Sequence, residues 1–144
     1  DIFNQLPNKK LSDEERNIIM TESVKEYLRI DSIAATINHS RETKFLHFVQ
    51  PMLWTTRRKL TDQEKPLLFL GQKMPNPEIF SLFVDFIKKE NWPDHMIDMT
   101  GLFTNIEAHV FLDDGHLNGL GNFYVASKIA DELIEKKILN CNEN

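Results

Sequence analysis

Cysteine is nearly absent: Cys141 is the only one in 144 residues. No disulfide can form within the chain, and neither an oxidising nor a reducing compartment is excluded. No apolar run comes near the roughly 20 residues a membrane-spanning helix needs, so the sequence contains no membrane segment. There is no excess of positive charge either. Lys and Arg number 17 against 22 Asp and Glu, a formal net charge of −5, which argues against a nucleic-acid surface. The densest basic cluster, Arg57-Arg58-Lys59, stands beside acidic residues and reads as a solvated loop. Repeats, low-complexity tracts and interior linkers are missing too, which leaves a single domain over residues 1–144. Residue 1 is Asp, and no signal segment precedes the first helix; the expectation is a chain processed, trimmed or cut from something longer.

What is present is ordinary for a soluble globular protein, with 41% hydrophobic and 27% charged residues. Leu11–Glu15 reads LSDEE, a capping box in which Ser12 and Glu15 exchange bonds across a helix start. No Gly or Pro follows until well beyond Ile37, which predicts a helix over that span with a break near Asp31. Lys44–Pro51 (KFLHFVQP) predicts a buried strand stopped by proline. Thr61 and Glu64 offer a second capping box, but Pro66 falls inside its second turn, so any helix there is short or begins later. Asn76–Glu90 predicts a helix with Asn76 as N-cap, Pro77 at its first position, and a stripe of Ile79, Phe80, Phe83, Phe86 and Ile87. Met96–Thr100 and His109–Asp113 predict strands. Asn118 caps a final helix expected to face inward with Phe123, Ala126, Ile129, Ala130 and Leu133. Helices alternating with short apolar strands predict α/β layers around a mainly parallel sheet.

In such sheets, reactive groups gather in loops beyond the carboxyl ends of the strands. Asp113 and His116 stand three apart in one of those loops. A carboxylate there can bond one ring nitrogen and leave the other free to take a proton, the orienter and base roles of a Ser-His-Asp triad. Turn bonds for Asp113 and Asp114, with His116 filling a loop, are the structural alternative. A metal site from His109, Asp113, Asp114 and His116 fits no established ligand spacing. Gly119–Asn122 (GLGN) lacks the full glycine fingerprint of a phosphate loop, and Gly121 reads instead as a close-packing position. Neither metal nor cofactor is therefore expected. Trp54, in the loop after Pro51, is either packing or the wall of a substrate pocket.

Asp113, His116, Leu117, Asn118, Gly121, Asn122 and Ala126 together resemble the last motif block of the SGNH (GDSL-type) hydrolases. The stretch from Phe48 to Lys65 is similar to the strand and loop in the middle of those enzymes. The resemblance implies the C-terminal half of a three-layer α/β/α flavodoxin-like fold with a mainly parallel sheet, in an esterase acting on ester-linked acyl groups such as acetyl on carbohydrate. His116 would be its base and Asp113 the orienter. The family's early Gly-Asp-Ser-like and glycine blocks have no counterpart here. Ser12, Ser23, Ser32, Ser40, Ser81 and Ser127 all lie at helix caps, in helices or in a polar turn, so none is the nucleophile. Asp1 is similar to the last residue of the family's Gly-x-Asn-Asp block, which implies that the serine-bearing N-terminal half belongs to a partner segment outside these residues. The 144-residue chain alone is expected to be inactive. The competing class is a non-catalytic SGNH-like binding or interaction module.

Overall fold

The structure, a computed structural model, describes residues 12–70, 78–89 and 92–139. Asp1, Asn76, Pro77 and Glu90 lie outside the described residues. The elements run α1 (Asp13–His39), β1 (His47–Val49), α2 (Leu67–Leu70), α3 (Glu78–Lys89), β2 (Met96–Asp98) and α4 (Gly119–Glu135). The protein is thus of mixed α/β class, with one parallel two-stranded sheet pairing His47 with Met96, Phe48 with Ile97 and Val49 with Asp98.

Local sequence signals set the helix starts. Ser12 Oγ accepts the Glu15 amide, and the Glu15 carboxylate accepts the Ser12 amide, so the capping box satisfies two end donors. Pro66 stops the Thr61 segment from becoming a helix, and α2 begins only at Leu67. Asn118 Oδ1 caps α4 through the Gly121 amide at 2.9 Å.

The expected break at Asp31 does not occur, because α1 runs through it. Asp31 is a buried side chain whose two oxygens each meet a histidine at 2.6 Å: Oδ1 with His47 Nδ1, Oδ2 with His95 Nε2. Tyr27 Oη lies 2.8 Å from His47 Nε2 and packs edge-on against Phe83 of α3. His47 opens β1 and His95 immediately precedes β2, so this network ties α1 to the amino end of the sheet. At the other end of α3, Lys88 reaches Asp98 of β2 at 3.0 Å. β1 is half-buried, less enclosed than expected.

His109–Asp113 is not a sheet strand; it makes one antiparallel bridge, Phe111 with Leu117. The reason lies in its donors. The amides of Val110 and Phe111 are taken by the Glu64 carboxylate at 2.9 and 3.2 Å, leaving them nothing to offer a neighbouring strand. Arg58 is corrected with it: its side chain is 3% exposed and its guanidinium pairs with Glu64, so it is no solvated loop residue.

Leu53, Phe103, Val110 and Phe111 form the buried core, with Phe103 edge-on to Phe111 at 5.3 Å. α4 packs there through Tyr124 and Val125, a face rotated from the expected stripe; Phe123 is 64% exposed, and Ala126 and Ala130 are exposed as well. Gly121 sets that rotation. A Cβ on it would lie 2.9 Å from the Val110 carbonyl oxygen and 3.0 Å from Leu117 Cβ, so only glycine lets the helix start this close.

Candidate functional site

Asp113 and His116 occupy a tight loop closed by two backbone bonds, Leu112 N to His116 O and Asn118 N to Val110 O. Two further bonds press that loop against the segment leaving β1. Gln50 Nε2 donates to Gly115 O at 2.7 Å, and Leu53 N donates to Asp114 O at 2.9 Å. The loop therefore stands at the carboxyl end of the parallel strands, opposite the Asp31 network.

Within the loop Asp113 makes three bonds. Oδ1 accepts the amides of Gly115 and His116 at 2.9 and 2.7 Å, and Oδ2 lies 2.7 Å from His116 Nδ1. The His116 amide first, then that of Gly115 and the ring, hold the carboxyl down at about 2. An ionised carboxylate only accepts, so Nδ1 carries the proton and donates. Neutral His116 then presents an unprotonated Nε2. The ring is 84% exposed, so that nitrogen is reachable. Asp114 contributes its carbonyl to Leu53 and does not join the pair.

His116 borders an open cleft of about 420 Å³ together with Phe48, Gln50, Met99, Asn122 and Val125. Its lining mixes apolar side chains with the side-chain amides of Gln50 and Asn122, which bond the carbonyls of Gly115 and Leu117 on either side of His116. Trp54 is not brought to this cleft. It lines a separate one of about 230 Å³ with Val84 and Asp85. His109 Nε2 donates to the Phe111 carbonyl. Of the six serines, Ser12 caps α1, Ser23 and Ser32 lie within it, and Ser40 donates from its end to Ile37 O. Ser81 and Ser127 lie in α3 and α4. Among the described side chains no serine hydroxyl bonds His116.

Two supports of the site are not apparent from motif spacing. Gln50 carries no local signal, since its partner Gly115 is 65 residues away. Glu64 does carry one: it reaches back to Thr61 N at 3.1 Å and accepts from Thr61 Oγ1 at 3.0 Å, half of the expected box. That pattern hides its longer-range bonds. Among the described residues no helix is long and apolar enough to cross a membrane. Comparison with protein-family models, with curated proteins and with solved structures returns no match.

Proposed function

We propose that this chain supplies the general base and its orienting carboxylate to an SGNH-type serine ester hydrolase, with substrates that are short acyl esters, acetyl on carbohydrate among them. One observation carries this reading. Asp113 holds Nδ1 of His116 while the exposed ring borders a cleft of mixed apolar and amide lining at the carboxyl ends of the strands. In the reaction, a serine hydroxyl from a complementary N-terminal segment attacks the ester carbonyl, and His116 Nε2 takes its proton. The same proton passes to the leaving alcohol. A water then attacks the acyl-enzyme as His116 takes its proton; the acyl–serine bond breaks, the acid leaves, and His116 returns the proton to the serine oxygen. Backbone amides and an asparagine of that other segment hold the oxyanion.

On this reading β1 and β2 belong to a larger parallel sheet in a three-layer flavodoxin-like α/β/α domain. A two-stranded sheet is smaller than most sheets, and parallel sheets are ordinarily buried on both faces. The test is hydrolysis of p-nitrophenyl acetate by the polypeptide joined to its N-terminal segment. Turnover that disappears with His116→Ala supports the reading. No turnover in the joined protein favours the non-catalytic binding module, and turnover untouched by that change removes His116 from the chemistry.

A further inference from the structure

Glu64 is the most enclosed charged group among the described residues. Its side chain is fully buried, 46 and 47 residues before the two amides it binds. Five bonds converge on the carboxylate: Val110 N, Phe111 N, Thr61 N, Thr61 Oγ1 and Arg58 Nη2, the last at 2.5 Å. Burial pushes the carboxyl up, but the Val110 and Thr61 amides, Arg58 and the Phe111 amide pull it further down, to about 2. It is therefore an anion at neutral pH and accepts at every lone pair.

Val110 and Phe111 are the base of the Asp113–His116 loop. Val110 O accepts Asn118 N, Phe111 bridges Leu117, and the next amide, Leu112 N, closes the loop on His116 O. A strand base normally gets its register from a neighbouring strand. Here the returning residues 116–118 pair with one side of the segment, and the Glu64 carboxylate holds the other, because the two amide donors of Val110 and Phe111 end on it. We infer that Glu64 is a positioning residue for the Asp113–His116 pair, setting the register of residues 110–111 and through them the reach of Asp113 to the His116 ring. The inference rests on the hydrolase reading for its purpose and on these bonds for its mechanism. Asn118 also braces the loop, with Nδ2 on His109 O, but it acts on α4 as well and is the poorer probe.

The test uses the ¹⁵N-labelled chain and requires no substrate. Long-range ¹H–¹⁵N correlations report which His116 ring nitrogen is protonated, and amide exchange reports the Gly115 and His116 protons held by Asp113. In the native chain Nδ1 carries the proton and both amides are protected. Glu64→Gln keeps the shape but leaves one acceptor oxygen where the carboxylate has two, so the Val110, Phe111 and Arg58 donors on Oε1 compete with the Thr61 amide on Oε2 for it, and the charge opposite Arg58 is lost. The expected result is a folded protein whose His116 ring samples both tautomers and whose two amides exchange at least tenfold faster. Glu64→Asp keeps the charge beside Arg58 but is too short to hold both amides, so it gives the same result should Glu64→Gln fail to fold. Ile87→Ala, a core truncation in α3, is the control: it lowers the melting temperature and moves neither signal. A folded Glu64 variant with native tautomer and native protection would overturn the inference, as would Ile87→Ala moving both signals equally. Positive signals in a chain whose joined form hydrolyses no ester would sink the hydrolase reading and leave the positioning role standing.

Discussion

Arg58 Nη2 and Glu64 Oε1 meet at 2.5 Å with side chains 3% and 0% exposed, the most completely buried ion pair among the described residues. A pair this enclosed is strongly destabilising to break, because the remaining charge keeps its desolvation penalty. Acid breaks it by protonating the carboxylate.

The pH dependence follows from the shift. Glu64 falls from an ordinary 4.5 to about 2 in the fold. Between those values the unfolded chain binds the extra proton. The stabilisation is therefore complete above about pH 4.5 and is lost as pH falls toward 2. Its size is of the order of 3 kcal/mol, from about 1.4 kcal/mol per pKa unit. Asp113 titrates over the same window, but it is half-exposed and solvent screening reduces its share. Thermal melts from pH 6 to 2.5 should show a steep fall that Glu64→Gln flattens. An unchanged slope in Glu64→Gln would remove Glu64 from the account.

Gly121→Ala should destabilise by about 1–3 kcal/mol, the range for overpacking a core contact. The new methyl would press on the Val110 carbonyl oxygen at 2.9 Å and on Leu117 Cβ at 3.0 Å, neither of which is a flexible side-chain end. Gly119→Ala is the comparison, since nothing lies within 4 Å of a Cβ there. In an exposed first turn that change should be neutral or slightly stabilising. Equal urea midpoints for the two variants would contradict the close packing at Gly121.

Asp31→Asn should loosen the attachment of α1 to the sheet. An amide supplies one acceptor where the carboxylate supplies two, so one of the two imidazole N–H groups loses its partner. The expected cost is about 1–3 kcal/mol for a buried group left unsatisfied. Amide exchange should quicken around Asp31 in α1 and at the start of β1 more than near Asn118. Native exchange in both places would mean the network contributes nothing to docking.

Which parts of this were legible in the sequence follows from the range of the interaction. Ser12 with Glu15 and Asn118 with Gly121 act over three residues, and both caps are found where the motifs predict them. The Asp113–His116 bond is equally local. Asp31 misleads because an aspartate inside a helix looks like a break, whereas its partners lie 16 and 64 residues away. Arg58 misleads for the same reason: a basic cluster reads as solvated until the buried carboxylate of Glu64 is placed beside it, and the local box of Glu64 with Thr61 gives no sign of the Val110 and Phe111 amides 46 and 47 residues on. Periodicity does not give the buried face of α4, because the close contact of Gly121 with Val110 O and Leu117 brings Tyr124 and Val125 to the core instead of the apolar stripe.

The 144-residue chain on its own should hydrolyse no p-nitrophenyl acetate. No described serine hydroxyl bonds His116, and the proposed base without a nucleophile leaves no route to an acyl-enzyme. Turnover that survives purification and depends on one of Ser12, Ser23, Ser32, Ser40, Ser81 or Ser127 would overturn this.

If the joined protein is the hydrolase proposed above, three substitutions separate the roles in the loop. His116→Ala removes the group that moves the proton in both half-reactions, so kcat/KM should fall to the background of the oxyanion hole and binding. Asp113→Asn should fall by about 10⁴, the loss seen when a triad's orienting carboxylate is disabled. Here the asparagine would also weaken the hold on the Gly115 and His116 amides, so the loop loses order together with the tautomer. Asp114→Asn is the internal control. Asp114 serves through its backbone carbonyl on Leu53, which the substitution retains, so the loss should stay under about tenfold, or roughly 1.4 kcal/mol. Circular dichroism of all three confirms that the fold is kept. A silent Asp113→Asn beside a damaging Asp114→Asn would mean that the other aspartate orients the ring during turnover. Silence in all three would leave the loop with no part in the chemistry.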